Sequence, residues 1–265
     1  MSSTTVVERM PVHPGSLFFK EHLARYTFAR ERLQPGRVLD MACGTGYGTD
    51  LFAHLPGYSA VGVDRDGASV FAARLAFPDP SVRFCIASGT QLPFVRRTFQ
   101  NIVSLETIEH VQDDLALLSE MVRVLDSNGV CILSTPNRLY SLEHRIENPY
   151  HVREYVEEEL RDLLEGYFGI VTVFYQGFAD RYHARVKGYA TSIETGKRNL
   201  PGPLAIGLER VYRPAKSIFP MQLKNYGIRK LLSLEYPQPD PTDIIISAVP
   251  VTEIRNFLLI CEAPR

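Results

Sequence analysis

The sequence has no long hydrophobic run, and this absence limits the kinds of protein it can encode. No apolar stretch in the 265 residues approaches the roughly 20 residues that a membrane-spanning helix needs. The first ten residues are polar and lack the hydrophobic segment of a secretory signal peptide. We therefore expect a cytoplasmic protein without a transmembrane helix.

Cysteine pairs are missing as well. None of the four cysteines stands in a CxxC pair, so a zinc or redox site has little support, and the sequence offers no convincing ligand set for any metal ion, magnesium included. Three of the four lie in apolar runs typical of strands, which predicts buried, reduced thiols in a cytoplasmic protein. The cysteines are Cys43, Cys85, Cys131 and Cys261.

Net charge is almost absent, at −1, which argues against a uniformly basic nucleic-acid-binding protein. That small value conceals a separation of charge. Residues 181–230 contain eleven Lys or Arg and two Glu, a local charge of +9, and the rest of the chain carries −10. We predict that this segment belongs to a basic capping insertion over residues 179–254, which would suit an anionic small-molecule ligand.

Hydrophobic residues make up 45% of the chain and charged residues 22%, as in a packed globular core. From residue 37 onward, short apolar runs alternate with helical patterns. This alternation predicts a single α/β domain, with a Rossmann-like, seven-stranded, mostly parallel sheet and helices on both faces. The predicted parts are a helical lid over residues 1–35, a core over 36–178 and 255–265, and the capping insertion. The predicted strands are 37–41, 58–63, 82–87, 101–105, 130–133, 169–175 and 257–261, and the main predicted helices are 16–33, 67–76, 113–125 and 153–165.

A glycine-rich turn follows the first predicted strand. Glycines at positions 44, 46 and 48 let the backbone turn tightly and approach a ligand closely. Asp64 ends the second predicted strand, where an acid can accept hydrogen bonds from both hydroxyls of a ribose. A dinucleotide site needs G-x-G-x-x-G, but Thr49 occupies the third glycine position, and Asp40 would repel a pyrophosphate. The pattern therefore favours S-adenosylmethionine, which is cationic, over NAD.

The segment Val38-Leu-Asp-Met-Ala-Cys-Gly-Thr-Gly-Tyr-Gly48, together with Asp64, resembles motifs I and II of the class I S-adenosylmethionine-dependent methyltransferases. The resemblance covers roughly residues 16–175 and the last strand. Two further stretches, Leu133–Arg138 and Asn148–Tyr155, look like a bacterial branch associated with small-molecule, glycan and natural-product biosynthesis.

The resemblance implies a cofactor site around the glycine turn. Asp40, Gly44 and Gly46 would hold the methionine end, and Asp64 would bind the ribose with Arg65 beside the adenine. Ser88 stands where the family usually has an Asp that contacts the adenine. The implied cofactor-binding residues are Tyr26, Asp40, Ala42, Gly44, Gly46, Asp64, Arg65, Ser88, Gly89 and Glu106.

The implied reaction is transfer of a methyl group from S-adenosylmethionine to a hydroxyl, or alternatively an amine, of a small polar or anionic acceptor such as a sugar, a nucleotide-linked sugar or a natural product. S-adenosylhomocysteine is then the product. An acceptor hydroxyl needs a general base, and His151 and His110 are the candidates. Tyr140 and Tyr150 are candidates for lining the acceptor pocket.

Three alternatives remain open from the sequence. The basic insertion could serve an RNA methyltransferase, although we do not expect a nucleic-acid partner. The domain could bind S-adenosylmethionine without catalysis. An NAD-dependent oxidoreductase is disfavoured by the missing third glycine. A homodimer is compatible with the sequence.

Overall fold

The computed structural model describes residues 16–198 and 237–265. The helices are α1 (Leu17–Arg30), α2 (Tyr47–Ala53), α3 (Gly67–Ala76), α4 (Asp114–Val124), α5 (Arg138–His144), α6 (Glu157–Glu165) and α7 (Asp180–Arg198). The strands are β1 (Gly36–Met41), β2 (Tyr58–Asp64), β3 (Val82–Ile86), β4 (Phe99–Leu105), β5 (Leu125–Pro136), β6 (Phe168–Phe178), β7 (Ile244–Ser247) and β8 (Asn256–Pro264).

The strands form one mixed sheet in the order β3-β2-β1-β4-β5-β8-β6-β7. The pairs among β1 to β5 are parallel, and β8 pairs antiparallel with both β5 and β6. This confirms the Rossmann-like α/β class. The sheet has eight strands where seven were predicted, because β7 is only four residues long and lies in a proline-rich stretch without clear periodicity. The chain leaves β1 toward β2 on one side and β4 lies on the other, so the ligand-binding switch point of such sheets falls between β1 and β4.

The central strands are buried on both faces, as their continuous apolar runs predict. Neighbouring residues of β1 illustrate this, because Val38 packs into one core cluster and Leu39 into the other, and both are fully buried. Helices α4 and α6 cover the Leu39 face, and α1 to α3 cover the Val38 face. The predicted burial is confirmed for Cys43, Cys131 and Cys261 but is wrong for Cys85, which is only partly buried because β3 is the last strand at one end of the sheet; all four are free thiols.

Side-chain hydrogen bonds to backbone amides cap several helices and fix the residue at which each begins. The Ser16 hydroxyl accepts a hydrogen bond from the amide of Phe19 at the start of α1, and Asp113 accepts one from Ala116 at the start of α4. Helix α6 begins at residue 157, later than the predicted 153, because the backbone around Tyr155 stays extended and pairs with Asn137. Helix α5 was not predicted. It is seven residues long and begins after Asn137, whose side chain accepts a hydrogen bond from the backbone amide of Leu139.

The chain divides into two compact units, Met1–Gly177 with Ile244–Arg265, and Phe178–Asp243. In the second unit, the carboxylate of Asp243 is fully buried and accepts hydrogen bonds from Arg181 and Arg185 of α7. Two cations of the predicted basic insertion are therefore neutralised locally.

Some of the predicted segments lie outside the residues that the structure describes. They comprise residues 1–15 of the predicted lid and residues 199–236 of the predicted insertion, with most of its Lys and Arg. Over residues 16–198 and 237–265, every helix is too short or too polar to cross a membrane.

Candidate active site

The glycine loop, residues 42–46 between β1 and α2, is open on one side and packed on the other. Gly44 has a φ of +53°, and a Cβ added there would meet nothing within 4 Å. Gly46 has a φ of +85°, and its Cβ would lie 2.7 Å from the Phe84 ring. Ala42 also has a positive φ, of 56°, in a region that disfavours side chains. The loop is thus fixed against the protein at Gly46 and leaves the backbone at Gly44 accessible to a ligand.

Asp64, at the end of β2, is tied to this loop. Its Oδ2 accepts the amide of Gly44 at 2.9 Å, and its Oδ1 accepts the amide of Asp66 at 2.8 Å. These two bonds fix the carboxylate, and each oxygen keeps a lone pair for a further donor such as a ribose hydroxyl. The structure therefore brings Gly44 and Asp64 together, as the sequence predicts.

The remaining predicted adenine-side residues lie near this edge with different exposure. Arg65 and Ser88 are exposed, and the Ser88 hydroxyl is 2.8 Å from that of Thr90. Gly89 is needed for packing, because a Cβ there would lie 2.7 Å from a methyl group of Leu117.

Asp40 lies beneath the glycine loop and is fully buried. It accepts hydrogen bonds from the hydroxyls of Thr49 at 2.6 Å and Tyr26 at 3.1 Å. Burial raises the pKa of Asp40 to about 7, although the bonds from Thr49 and Tyr26 oppose the rise. Asp40 therefore changes its charge near neutral pH.

Tyr26 packs tightly against α2. Its ring is 2% exposed, and a Cβ on Gly48 would lie 2.0 Å from a ring carbon. Gly48 thus makes room for Tyr26, a role that the sequence analysis did not assign to it. Tyr26, which belongs to the predicted helical lid, therefore packs against Asp40 and forms one side of the site.

Glu106 follows β4 with a φ of +53°, a strained conformation for a residue with a side chain. Its Oε1 accepts hydrogen bonds from the Ser134 hydroxyl at 2.9 Å and the Asn256 amide at 3.0 Å. The buried guanidinium of Arg25 lies 4.0 Å from the other oxygen. These contacts hold the carboxylate at the carboxyl edge of β4, beside the switch point.

His110 and His151, the predicted base candidates, are in contact. Their ring centroids lie 4.8 Å apart. His110 ends a short 3₁₀ turn after β4, and the amides of Val152 and Arg153 both donate to the carbonyl of Glu109 in that turn. These backbone bonds place the loop that carries His151 against His110.

Each histidine is oriented through Nδ1. His110 Nδ1 lies 3.1 Å from the carbonyl oxygen of Tyr150, and His151 Nδ1 lies 2.5 Å from Glu154 Oε1. Both oxygens can accept a proton from Nδ1, so these contacts favour the tautomer of the neutral ring in which Nε2 has the lone pair. On the other side, His151 Nε2 is 2.8 Å from the side-chain nitrogen of Asn148.

Glu109 completes this group, and the sequence analysis missed it. Its Oε2 accepts the hydroxyl of Thr135 at 2.9 Å, and its Oε1 lies 3.8 Å from His110 Nε2. Burial, together with the nearby charge of Glu106, raises the pKa of Glu109 well above its usual value. The available signal was an acid beside a histidine directly after β4. We call Glu109, His110 and His151 the histidine cluster; each offers a possible metal ligand, within 4.8 Å of one another.

The predicted acceptor tyrosines lie on the side of the cluster formed by α5 and the loop after it. The Tyr140 hydroxyl accepts a hydrogen bond from Arg255 at 2.6 Å, and its ring stacks on His144. Tyr150 is half-buried, and its amide donates to Asn148. An open cavity of about 400 Å³ reaches His151, and neither tyrosine lines it.

Comparison with known proteins agrees with this geometry. Residues 39–133 match the methyltransferase domain family. A probable S-adenosylmethionine-dependent methyltransferase of Mycolicibacterium smegmatis is 35% identical over 150 residues, which are 56% of this chain and 57% of the relative. A ubiquinone biosynthesis O-methyltransferase of Azorhizobium caulinodans is 32% identical over 104 residues, 38% of this chain and 41% of the relative.

The fold is shared more widely. A solved structure from Thermotoga maritima, described as an S-adenosylmethionine-dependent methyltransferase and possible histamine N-methyltransferase, superposes with a TM-score of 0.57 at 16% identity, and covers 93% of this chain and 92% of that one. The chain spans little more than half the length of the first curated relatives it matches.

The cofactor of the matched family is S-adenosylmethionine, and the residues present fit it. The accessible backbone at Gly44 and the fixed carboxylate of Asp64 stand at the switch point, with the acidic group of Asp40 beneath them. These motifs, the matched segment over residues 39–133 and the relatives make this part of the chain similar to S-adenosylmethionine-dependent methyltransferases.

Proposed function

We propose that the protein transfers a methyl group from S-adenosylmethionine to a hydroxyl of a small polar acceptor. One observation carries the proposal: the glycine loop bonded to Asp64 follows β1, Asp64 ends β2, and His110, in contact with His151, follows β4, all at the same edge of the sheet. The O-methyltransferase named among the relatives supports oxygen as the receiving atom.

The cofactor side has a binding role. When bound, S-adenosylmethionine supplies a methyl group on a sulfonium, which is already a good leaving group, so positioning provides much of the rate. Asp64 would accept the ribose hydroxyls, and the backbone at Gly44 would lie along the ligand. Asp40 in its ionised form would favour a cationic ligand, because opposite charges attract strongly where water is excluded.

The acceptor side has to remove a proton. An alcohol becomes a good nucleophile when a base takes its hydroxyl proton, and His is the residue most often used. His151 is the better placed of the two, because Glu154 holds its Nδ1 and His151 lines an open cavity. Glu154 would position the ring and stabilise its protonated form.

The acceptor we favour is small. Arg138 and Arg153 border the cavity, but Arg138 is paired with Glu159 and Arg153 with Asp114, so little free positive charge faces it. In the second unit Arg181 and Arg185 are likewise paired with Asp243. These pairs favour a polar small molecule over RNA, the alternative that the basic insertion raised.

Calorimetry with S-adenosylmethionine and S-adenosylhomocysteine tests the cofactor, and release of S-adenosylhomocysteine across a panel of sugars, nucleotide sugars and phenols tests the reaction. We expect both ligands to bind, and turnover with at least one hydroxyl acceptor. Binding of NAD with no binding of either sulfur ligand would overturn the proposal. Salt-sensitive RNA binding together with RNA methylation would show that the acceptor is RNA and not a small molecule.

A further inference from the structure

We propose that the histidine cluster binds one divalent first-row transition metal ion. The inference rests on the proposed function for its chemical role, although binding of the ion can be measured independently. The cluster combines two imidazoles and one carboxylate from two separate segments, the turn after β4 and the loop before α6.

The distances suit a single ion after a small contraction. The possible ligand atoms lie within 4.8 Å of one another, and Glu109 Oε1 is 3.8 Å from His110 Nε2. Bonds of about 2.0–2.2 Å to imidazole nitrogen and carboxylate oxygen place ligand atoms roughly 3–4 Å apart. Shifts of less than about 1 Å would therefore close the cluster around an ion.

An unpartnered oxygen points to a ligand. The Glu109 side chain is fully buried, yet its Oε1 has no hydrogen-bond partner within residues 16–198 and 237–265. A buried carboxylate oxygen without a donor is unfavourable, and native proteins satisfy most such atoms. Oε2 is already held by Thr135, and Oε1 is the oxygen that lies 3.8 Å from His110 Nε2. A cation between them would compensate that oxygen.

The surrounding contacts resemble the outer shell of a metal site. Metal-bound histidines usually donate their second ring nitrogen to a carbonyl or carboxylate, which fixes the tautomer and the ring orientation. The Tyr150 carbonyl does this for His110, and Glu154 does it for His151. The amide of Asn148 now faces His151 Nε2 and would have to turn aside when an ion binds.

The donor set selects the kind of ion. Imidazole suits zinc, cobalt and related first-row ions, whereas magnesium prefers oxygen ligands and retained water. We therefore expect Co²⁺ or Zn²⁺ to bind in preference to Mg²⁺. Three protein ligands also leave coordination positions open, as in catalytic metal sites.

An open position defines the role of the ion in methyl transfer. The acceptor oxygen would bind the ion, which lowers the pKa of the hydroxyl so that its proton leaves to solvent. That oxygen then forms a bond to the methyl carbon as the carbon–sulfur bond breaks, and the bonding electrons stay on sulfur. In the metal-bound form His110 and His151 act as ligands, and the ion takes over the activation of the hydroxyl that the metal-free mechanism assigns to His151.

The test uses the full chain after treatment with EDTA and dialysis. Calorimetry should find one site for Co²⁺ or Zn²⁺, bound at least tenfold more tightly than Mg²⁺. The Co²⁺ form should show visible absorption bands typical of nitrogen coordination. His151→Ala and Glu109→Gln should each weaken Co²⁺ binding by at least tenfold, whereas His54→Ala, at an exposed histidine directly after α2, should not.

The outcomes separate the two proposals. If the wild-type chain binds none of these ions, or if both cluster variants bind Co²⁺ like the wild type, the metal site is refuted. His151 is partly exposed, so its variant tests the site even if the buried Glu109→Gln variant does not fold. S-adenosylhomocysteine affinity is measured on the same samples. If the chain does not bind S-adenosylhomocysteine but does bind the metal ion, the proposed function is refuted and the metal site is retained.

Discussion

The cofactor half and the acceptor half of the site are assembled in different ways. The cofactor half consists of the glycine loop, Asp40 and Asp64, which lie in one short stretch of sequence. The proposed acceptor half is the histidine cluster, whose members come from two distant segments joined by backbone bonds to the carbonyl of Glu109. A local pattern can therefore specify the first half, whereas the second half exists only once the chain has folded.

The largest expected effect is a loss of turnover without a loss of cofactor affinity, which distinguishes the acceptor half from the cofactor half. His151→Ala should lower kcat by about 100-fold or more, the usual range for loss of an acid–base group, while S-adenosylhomocysteine affinity stays within about twofold. The reason is that the side-chain contacts of His151 are with His110, Asn148 and Glu154, which lie outside the glycine loop and Asp64. Steady-state kinetics and calorimetry on the same preparation check both numbers, with His54→Ala as the control. Unchanged kcat would remove His151 from the chemistry.

A second substitution breaks the packing of the cofactor half. Gly48→Ala places a Cβ 2.0 Å from Tyr26, and overpacking of this kind costs about 1–3 kcal/mol or more of unfolding free energy. Tyr26→Ala in the same chain should relieve the clash, so the double variant should lose less than the two single losses added together. Denaturant unfolding measures the cycle.

Gly188→Ala is the matched control for that cycle, because a Cβ there meets nothing within 4 Å. Within α7 the change should stabilise by about 0.5–1 kcal/mol, since alanine favours helices. Equal losses at both glycines would contradict the close contact between Gly48 and Tyr26.

The same contrast explains how far sequence reasoning reached. The glycine loop and Asp64 were predictable because tight turns require glycine and a strand-end acid follows at a regular distance. The central strands were predictable from apolar runs between Pro and Gly. Helix α5 and strand β7 were not, because seven and four residues are too short for a periodic signal.

The histidine cluster was only half visible in the sequence. His110 and His151 were identified one by one from their chemistry. Their contact depends on the tertiary bonds from Val152 and Arg153 to Glu109, which no local pattern encodes. Glu109 itself looked like one more acid near a strand end, and its importance comes from complete burial, a property of the folded chain.

A third prediction tests the bonding of Asp64. Asp64→Asn should weaken S-adenosylhomocysteine binding by about 10- to 100-fold, because hydrogen bonds to a charged group contribute about 1.5–3 kcal/mol. The amide nitrogen would also face the N–H of Gly44 or Asp66. Calorimetry measures the change, and Asp79→Asn, at an exposed acid outside the site, serves as the control. If the Asp64 variant binds S-adenosylhomocysteine as tightly as the wild type, Asp64 has no role in binding, and only the glycine loop of the cofactor half was predicted correctly.

The smallest expected effect concerns the charge of Asp40. Its pKa in the folded protein is raised to about 7, so the folded state keeps a proton that the unfolded chain has already released. The stability contribution of the protonated carboxyl is therefore lost as pH rises from about 4 through about 7. Affinity for the cationic S-adenosylmethionine should change in the opposite direction and increase several-fold between pH 6 and pH 8.

Asp40→Asn should remove both trends, because the amide does not ionise in this range while it still offers an oxygen to Thr49 and Tyr26. Calorimetry and thermal unfolding at pH 6, 7 and 8 compare the two proteins. A wild-type affinity independent of pH would mean that Asp40 acts through packing and hydrogen bonds alone. The two halves would then differ in kind, with charge used at the histidine cluster and shape at the glycine loop.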